Sequence, residues 1–333
     1  MSVRDTEILN PVDLRYMLID SLRLYSSDIA FIDGHNPYRF AVNKRDFFIL
    51  IKNVHESGNG RDNQDECRVQ ISRASSFGHA QSANADVAVL GYFPDLRIFT
   101  AWNPYLMKNR FNAKATVSLY SRFSVMEAAA SDGVSTYVDT KKQSVISFKP
   151  EYLGLYLENI KNIHTLSDDE LKALIAASDV LQDSDANEEV NVDGHTMYVN
   201  HRRAARDPKF RKLVYEAYGH RCAMCGIQLE LIEAAHIVPF SHAHGSDEIS
   251  NGVCLCALHH TAYDQSLVYF DDEFSIKINS EKIKYLEKIG RDGGYRKLQD
   301  MSFDRLVLPS SHIFQPNPAN IRIANHIRGI VID

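Results

Sequence analysis

The apolar residues of this chain recur with two different periods. Residues 12–25, which follow Pro11, repeat their apolar positions with helical spacing. From there to residue 148 the apolar runs are short, often alternate with polar residues, and are separated by Gly, Asn, Asp and Pro, which is typical of strands joined by turns. The predicted strands are residues 47–51, 67–72, 86–92, 96–102, 115–120 and 144–148. The pattern therefore predicts a β-rich N-terminal domain.

Helical patterns return after residue 150. A helix over residues 152–160 is expected to end the β-rich domain. Residues 167–170, Ser-Asp-Asp-Glu, form a capping-box pattern ahead of the apolar residues 171–181. Residues 206–218 have one apolar face, and Gly219 follows where a helix would stop. We therefore predict a connecting helix and the first helix of a second domain.

The formal net charge of −6 is concentrated in the middle of the chain. Counting Lys and Arg against Asp and Glu gives +1 for residues 1–165, −8 for residues 166–200 and +1 for residues 201–333. The acidic stretch favours a solvated linker, so neither flanking region strongly repels nucleic acid. We expect a domain of residues 1–165, a helical then acidic linker of residues 166–197, and a second domain of residues 198–333.

The bulk composition excludes several protein classes. With 333 residues, 44% hydrophobic and 24% charged, the chain can bury two cores. It has no stretch of about 18 apolar residues that would span a membrane, and its first residues lack the layout of a signal peptide, so we expect a cytoplasmic protein without membrane association. Five cysteines, four of them between residues 222 and 256, favour metal binding over a disulfide framework.

Two pairs of potential zinc ligands are spaced alike. Cys222 and Cys225 form a Cys-x-x-Cys pair, and Cys256 and His259 form a Cys-x-x-His pair. A structural zinc takes four thiolate or imidazole ligands in a tetrahedron, which these two pairs would supply. Cys254 competes with Cys256 for the fourth place, and we favour Cys256 because of its spacing to His259. The alternative is a set of buried free cysteines.

The next residues suggest a second ion. On a helix, neighbouring side chains differ by about 100°, so His260 would point away from His259 and share a face with Asp264. An imidazole and a carboxylate would suit a catalytic magnesium, manganese, nickel or zinc ion. Alternatively, Asp264 only caps the helix or forms an ion pair.

His236 is the candidate general base. It is expected at the end of a strand over residues 231–237, before Pro239. A neutral imidazole, with an unperturbed pKa of about 6.5, can take a proton from a water molecule that attacks phosphorus. Asn251 would hold the strand backbones together and keep His236 aimed. Taken alone, such a His is more often structural, and an isolated Asn-Gly is a turn.

These motifs together resemble the HNH nucleases. The resemblance covers about residues 200–330 and is carried by Tyr218–Gly226, Ala234–Pro239 and Asn251–Asp264, which are similar to the HNH domain of bacterial restriction endonucleases. It implies a ββα-metal fold that places a strand His, a loop Asn and a helix His around one divalent ion. Many HNH enzymes have an Asp or His ligand directly before the base, where this chain has Ala235. We left Glu233 out of the site because a regular strand would point it away from His236.

The resemblance also implies that sequence specificity comes from another domain. In related restriction enzymes the HNH domain cuts with little specificity, so residues 1–165 are the candidate reader. Basic and amide side chains beside aromatic ones suit contacts to phosphates and base edges. The candidate DNA-binding residues are Arg68, Gln70, Arg73, Trp102, Lys108, Arg110 and Lys114. The alternative is that Trp102 is core and the basic loop is only solvated. A pseudobarrel that flips out a modified base is one hypothesis for this domain.

We conclude that the sequence predicts an α+β protein, with a β-rich recognition domain joined by an acidic linker to a zinc-stapled HNH domain. The predicted activity is hydrolysis of phosphodiester bonds in double-stranded DNA by a restriction-type endonuclease, with dependence on modified cytosine as one hypothesis. A double-strand cut by a nuclease with one site favours a homodimer. Two alternatives stay open: a defence effector nuclease activated by a small signal, and a zinc-bearing DNA-binding protein without catalysis.

Overall fold

The computed structural model describes nine stretches of the 333-residue chain. They are residues 8–26, 28–56, 65–72, 85–107, 116–181, 187–192, 195–200, 208–240 and 242–330. The chain divides into two compact units, of which the first comprises Met1–Ser26 and Asp33–Arg203 and the second Ser27–Ile32 and Ala204–Asp333. Within the described stretches, every helix is too short or too polar to cross a membrane.

Up to residue 148 the described chain is mostly strand. The strands are β1 (Ile29–Asp33), β2 (Tyr38–Val42), β3 (Arg45–Asn53), β4 (His55–Glu56), β5 (Glu66–Ser72), β6 (Asp86–Phe93), β7 (Ile98–Trp102), β8 (Thr116–Arg122), β9 (Val134–Val138) and β10 (Ser144–Phe148). Each of the six predicted strands overlaps one of these, which confirms the β-rich N-terminal half. The prediction missed β1, β2, β4 and β9, whose sequences alternate less regularly.

The strands form two sheets. Within the first unit, six strands of one large sheet follow the order β2-β3-β6-β7-β10-β9, and a three-stranded sheet has the order β4-β5-β8. In the large sheet β3 and β6 run parallel, whereas β2–β3, β6–β7, β7–β10 and β10–β9 run antiparallel. The pseudobarrel that flips out a modified base stays a prediction for this domain.

A shared apolar core lies between the two sheets. Strand β5 alternates, with Cys67, Val69 and Ile71 buried and the intervening side chains exposed. The buried residues pack with apolar residues of β6, β7 and β8. Trp102 belongs to this core: it is 2% exposed, and its Nε1 donates to the Tyr120 carbonyl at 3.0 Å. Trp102 is therefore a core residue of this unit, which is the alternative that the sequence left open.

Four helices accompany the sheets in the first unit. They are α1 (Pro11–Arg23), α2 (Phe123–Asp132), α3 (Leu153–Glu158) and α4 (Asp168–Leu181). The α4 start is the predicted capping box, because Ser167 Oγ accepts from Glu170 N while Glu170 Oε2 accepts from Ser167 N. Leu171 and Leu174 of α4 are buried, so this helix is packed rather than free.

The acidic stretch after α4 contains a hairpin that was not predicted. Strands β11 (Asn187–Val192) and β12 (His195–Asn200) pair antiparallel. The Asn159 side chain exchanges two hydrogen bonds with the backbone of Tyr198, at 2.7 and 2.8 Å. These bonds tie the hairpin to the loop after α3, where the charge pattern alone favoured an irregular linker.

The second unit is built around a two-stranded hairpin and a helix. Its elements are α5 (Pro208–Ala217), β13 (Ile232–His236), β14 (Gly252–Cys256), α6 (Ala257–Asp264), β15 (Val268–Phe270), β16 (Ile276–Ile278), α7 (Ser280–Lys288), α8 (Tyr295–Asp300) and α9 (Pro318–Ile327). The turn after α5 contains Gly219, whose φ of 58° is left-handed, a conformation that costs glycine little. The succession β13, β14, α6 carries the candidate site.

Candidate active site and metal cluster

The β13–β14 hairpin is clamped between two helices. His236 pairs with Gly252 in the antiparallel register, so both face the same side. A Cβ added at Gly252 would lie 2.5 Å from Val214 Cγ2 and 3.0 Å from Phe210 Cε2, so only glycine lets α5 approach this closely. The α6 helix contacts the opposite side of the hairpin through His260, which touches Glu233.

His236 lies at the last position of β13 and is held by two neighbours. Its ring stacks on Phe210, with centroids 4.2 Å apart and planes 6° from parallel. Its Nε2 lies 2.9 Å from Asp247 Oδ1 in the loop between the strands. With the proton on Nε2, His236 donates to the carboxylate, and Nδ1 is the ring nitrogen that carries the lone pair. Sequence reasoning did not single out Asp247, which only the loop conformation brings to the ring.

Asn251 closes the loop that carries Asp247. It is fully buried; its Nδ2 donates to the carbonyls of Val238 and Ser246, and its Oδ1 accepts from Val238 N at 2.9 Å. Its own carbonyl accepts from Ile237 N, the residue after His236. The Asn251 amide therefore joins both ends of the loop and holds the backbone that carries Asp247.

His260 has a carboxylate on each side of its ring. Its Nε2 lies 3.3 Å from Asp264 Oδ2, one helical turn on, and its Nδ1 contacts Glu233 Oε2 of β13. Glu233 shares the strand face of Ala235, away from His236, but that is the face on which α6 packs. Glu233 therefore points away from His236, as predicted, and contacts His260.

Arg328, after α9, links the backbone next to His236 to α6. It is 2% exposed, and its guanidinium lies 4.0 Å from the Tyr263 ring centroid. Its Nη1 donates to the Ile237 carbonyl at 3.0 Å, and its Nη2 lies 3.9 Å from Asp264 Oδ1. The Tyr263 hydroxyl also donates to the Ile237 carbonyl. The backbone after His236 is thus tied to the helix that carries His260 and Asp264.

Four side chains form a compact cluster at the other end of the hairpin. The ligand atoms of Cys222, Cys225, Cys256 and His259 all lie within 4.8 Å of one another. Cys225 Sγ and Cys256 Sγ are 3.9 Å apart, and Cys222 Sγ is 3.5 Å from His259 Nδ1. Tetrahedral zinc with bonds of about 2.3 Å to sulfur and 2.0 Å to nitrogen requires separations of about 3.8 and 3.5 Å. The cluster could therefore hold zinc.

A hydrogen bond on the far side of the His259 ring also favours metal binding by this residue. Ser302 Oγ donates to the Leu298 carbonyl at 2.8 Å and lies 3.1 Å from His259 Nε2, so it accepts the Nε2 proton. That leaves the Nδ1 lone pair directed at the thiols, as a metal ligand requires. Burial lowers the pKa of His259 and raises that of Cys225 to about 12. Burial thus favours the neutral His259 ring and the protonated Cys225 thiol, and a bound cation would offset the second effect.

Cys254 lies beside this cluster without joining it. It is fully buried on β14, and its carbonyl accepts from Ala223 N at 2.8 Å. Burial raises the pKa of the Cys254 thiol to about 12. Of the two candidates for the fourth place, the geometry puts Cys256 with Cys222, Cys225 and His259.

The candidate DNA-binding residues are only partly described. Arg68 and Gln70 are exposed on the outer face of β5, where they pair in register with Tyr120 and Ser118 of β8. Arg73, Lys108, Arg110 and Lys114 lie outside the described residues. The described face is polar and mixed in charge.

Two family models match the chain. Residues 222–271 match a family described as HNH endonuclease. This segment is an HNH endonuclease domain. Its bounds include both the four-ligand cluster and the His236 site. Residues 45–157 match a second family, described as methylase-associated X1.

The chain as a whole resembles other whole proteins only slightly. Among solved structures it matches a "Modification dependent TagI restriction endonuclease" with 15% sequence identity, over 84% of this chain and 80% of that chain, at a TM-score of 0.28. This score is too low to compare the two folds. No curated protein matches the chain.

Proposed function

We propose that this protein is a restriction-type endodeoxyribonuclease that hydrolyses phosphodiester bonds in double-stranded DNA. The observation that carries the proposal is His236, held between Asp247 and Phe210 at the end of a strand of the HNH domain. An imidazole whose orientation is fixed by a carboxylate is the arrangement of a general base.

In this proposal His236 Nδ1 takes a proton from a water molecule, whose oxygen attacks phosphorus while the 3′ oxygen departs. Asp247 holds the ring in the required tautomer and stabilises the imidazolium that forms. Phe210 fixes the plane of the ring. Asn251 acts on the loop backbone, since its side-chain bonds go to Val238 and Ser246.

His260 and Asp264 are the residues that would hold a catalytic divalent ion, such as magnesium or manganese. One imidazole nitrogen and one carboxylate are a donor set that these ions, nickel and zinc accept. Such an ion would offset negative charge on the scissile phosphate and on the departing oxygen. Arg328, near Asp264, would help keep that carboxylate in place.

The Cys222, Cys225, Cys256 and His259 cluster would hold a structural zinc. Its distances and the Ser302 contact fit a closed tetrahedral site. Zinc would join the Cys-x-x-Cys turn to the start of α6. It would stabilise a small domain whose hydrophobic core is limited.

The first unit is proposed to read the modification state of DNA. Support comes from the methylase-associated family match of residues 45–157 and from Arg68 and Gln70, which are exposed on one strand face. A nuclease needs some such discrimination to spare the DNA of its host. Because one HNH site cuts one strand at a time, a double-strand cut is proposed to need a homodimer.

The test is digestion of matched plasmids that carry unmodified, methylated or hydroxymethylated cytosine, with magnesium or manganese. We expect cutting that depends on the metal and on the modification, and sequencing of the ends would give the site. Equal cutting of all plasmids would overturn the modification dependence. Intact plasmids under every condition would overturn the nuclease proposal, and cutting only after addition of a small-molecule signal would favour the effector alternative.

A matched pair of variants tests the general base. His236→Ala is expected to lower the cleavage rate about 100-fold or more while DNA binding remains. The control is His312→Ala, at an exposed histidine of the same unit, which should cut like the parent protein. If His236→Ala cuts normally, His236 is not the base.

A further inference from the structure

Glu233 lies beside the position where the proposed ion site lacks a ligating side chain. The face of β13 toward α6 presents Glu233 and Ala235, and Ala235 is 1% exposed and has no ligating atom. The Glu233 carboxylate is therefore the acidic group that this strand offers to the helix. Its side chain is 42% exposed, so it lies at the rim of the site rather than in the core.

The contacts of His260 fix which nitrogen faces which carboxylate. Nδ1 contacts Glu233 Oε2, and Nε2 lies 3.3 Å from Asp264 Oδ2. For Nε2 to bind an ion beside Asp264, the single proton of a neutral ring must lie on Nδ1, toward Glu233. The lone pair of Nε2 is then on the side of Asp264. A carboxylate behind a ligating imidazole is a common way to fix the tautomer of the ring and raise its basicity.

We propose that Glu233 is a positioning residue that orients His260 for the catalytic ion. Glu233 accepts the Nδ1 proton, and His260 presents Nε2, together with Asp264, to the metal. The inference rests on the proposed function only in that it takes His260 and Asp264 as the ion ligands. In this proposal Glu233 contacts the ligand His260 and does not coordinate the ion itself.

The arrangement mirrors the other metal site of the same helix. His259 Nε2 is satisfied by Ser302, which leaves Nδ1 for the thiols. His260 Nδ1 is satisfied by Glu233, which leaves Nε2 for the ion. Two adjacent histidines of α6 thus use opposite ring nitrogens, each set by a partner from another element of the chain.

The test compares Glu233→Gln and Glu233→Ala in the zinc-loaded full chain. A glutamine carbonyl can still accept the Nδ1 proton, whereas alanine cannot. Manganese binding is followed by the loss of the free-ion electron paramagnetic resonance signal, and the His260 tautomer by long-range proton–nitrogen correlation spectra without manganese. Glu287→Gln, on the exposed face of α7, is the matched control.

We expect Glu233→Ala to weaken manganese binding about 10- to 100-fold and to lose the Nδ1–H tautomer. Glu233→Gln should keep the tautomer and lose less affinity, and Glu287→Gln should change neither. Parent-like binding and spectra in Glu233→Ala would overturn the proposal. So would equal losses of affinity in both Glu233 variants with the tautomer kept, which would indicate direct coordination.

Zinc content and circular dichroism show whether each variant is folded. Because manganese affinity and tautomer are measured without DNA, they separate this inference from the nuclease proposal. If the Glu233 variants change manganese affinity and the His260 tautomer as expected but the parent protein cuts no DNA, the role of Glu233 is supported and the proposed nuclease function is overturned.

Discussion

His236 is oriented by residues that are far from it in the sequence. Phe210 comes from the preceding helix and Asp247 from the loop eleven residues later. Neither contributes a ligand, yet together they set the plane and the tautomer of the ring. The proposed role of His236 as a general base therefore depends on two neighbours that lie outside the sequence motif.

Asp247→Asn is expected to lower the cleavage rate about 100-fold, because an amide neither enforces the tautomer nor stabilises the imidazolium. DNA affinity should change little, since the substituted side chain faces His236. Single-turnover cleavage and a binding titration measure the two effects. Glu248→Gln, at the adjacent exposed carboxylate, is the control. An Asp247→Asn rate equal to that of the control would contradict the assignment.

The sequence predicted candidate metal ligands where their spacing along one turn or helix brings them together. The intervals between Cys222 and Cys225, between Cys256 and His259, and from His260 to Asp264 follow from a turn and a helix, so local geometry predicts them. The contacts of Glu233 and Ser302 depend on how distant elements pack. No periodicity along the chain specifies such packing, so these partners could not be predicted.

At the scale of elements, the β13–β14 hairpin depends on how closely α5 approaches it. Gly252→Ala would place a methyl group 2.5 Å from Val214 Cγ2, forcing α5 outward and moving Phe210 from His236. Overpacking of this kind is expected to destabilise the second unit by about 1–3 kcal/mol and to slow cleavage. Urea denaturation followed by circular dichroism measures the first effect.

Gly293→Ala provides the comparison for this substitution, because an added Cβ there meets no atom within 4 Å. Its stability and cleavage rate should match those of the parent protein. A Gly252→Ala variant as stable and as active as Gly293→Ala would show that the close approach of α5 is not required.

The four-ligand cluster is the second link between elements, because it joins the Cys-x-x-Cys turn, the end of β14 and α6. Cys256→Ser is expected to lower bound zinc well below one equivalent per chain and to destabilise the second unit, whereas Cys254→Ala should keep its zinc. Atomic emission on the purified proteins measures zinc content. The opposite result, with zinc lost from Cys254→Ala and kept in Cys256→Ser, would exchange the two assignments.

At the scale of the molecule, DNA recognition is proposed for the first unit and DNA cleavage for the second. Each unit can be followed by its own measurement. The only tryptophan of the chain, Trp102, is buried in the first unit and hydrogen-bonded to the β8 backbone. Its fluorescence therefore reports unfolding of the first unit without contribution from the HNH domain. Cleavage and zinc content report on the second.

The elements of the first unit were predicted better than their arrangement. Alternating burial along strands such as β5 is a local property that the sequence displays. The order of the strands in the large sheet and the parallel pairing of β3 with β6 depend on contacts between distant segments. Trp102 shows the same limit, because the sequence left both a core role and a DNA-binding role open, and only its neighbours in space place it in the core.

The first unit should lose stability in mild acid through His164. Its ring is buried, with Nδ1 donating to the Ser144 carbonyl and Nε2 accepting from the Tyr156 hydroxyl. Burial lowers the pKa of His164 to about 4, against 6.5 when exposed. Above pH 6.5 the ring is neutral in both states. As the pH falls from 6.5 to 4, only the unfolded chain gains a proton, so stability decreases by roughly 3 kcal/mol, with no further loss below.

Urea denaturation followed by Trp102 fluorescence at a series of pH values measures this loss. His164→Gln cannot take up the proton, so its stability should vary less between pH 6.5 and 4 than that of His35→Gln, which removes an exposed histidine from the same unit. Other groups titrate in both variants, and the difference between the two pH profiles isolates His164. Parallel profiles would mean that the ring is protonated in the folded protein, and that its bonds to Ser144 and Tyr156 do not hold it neutral.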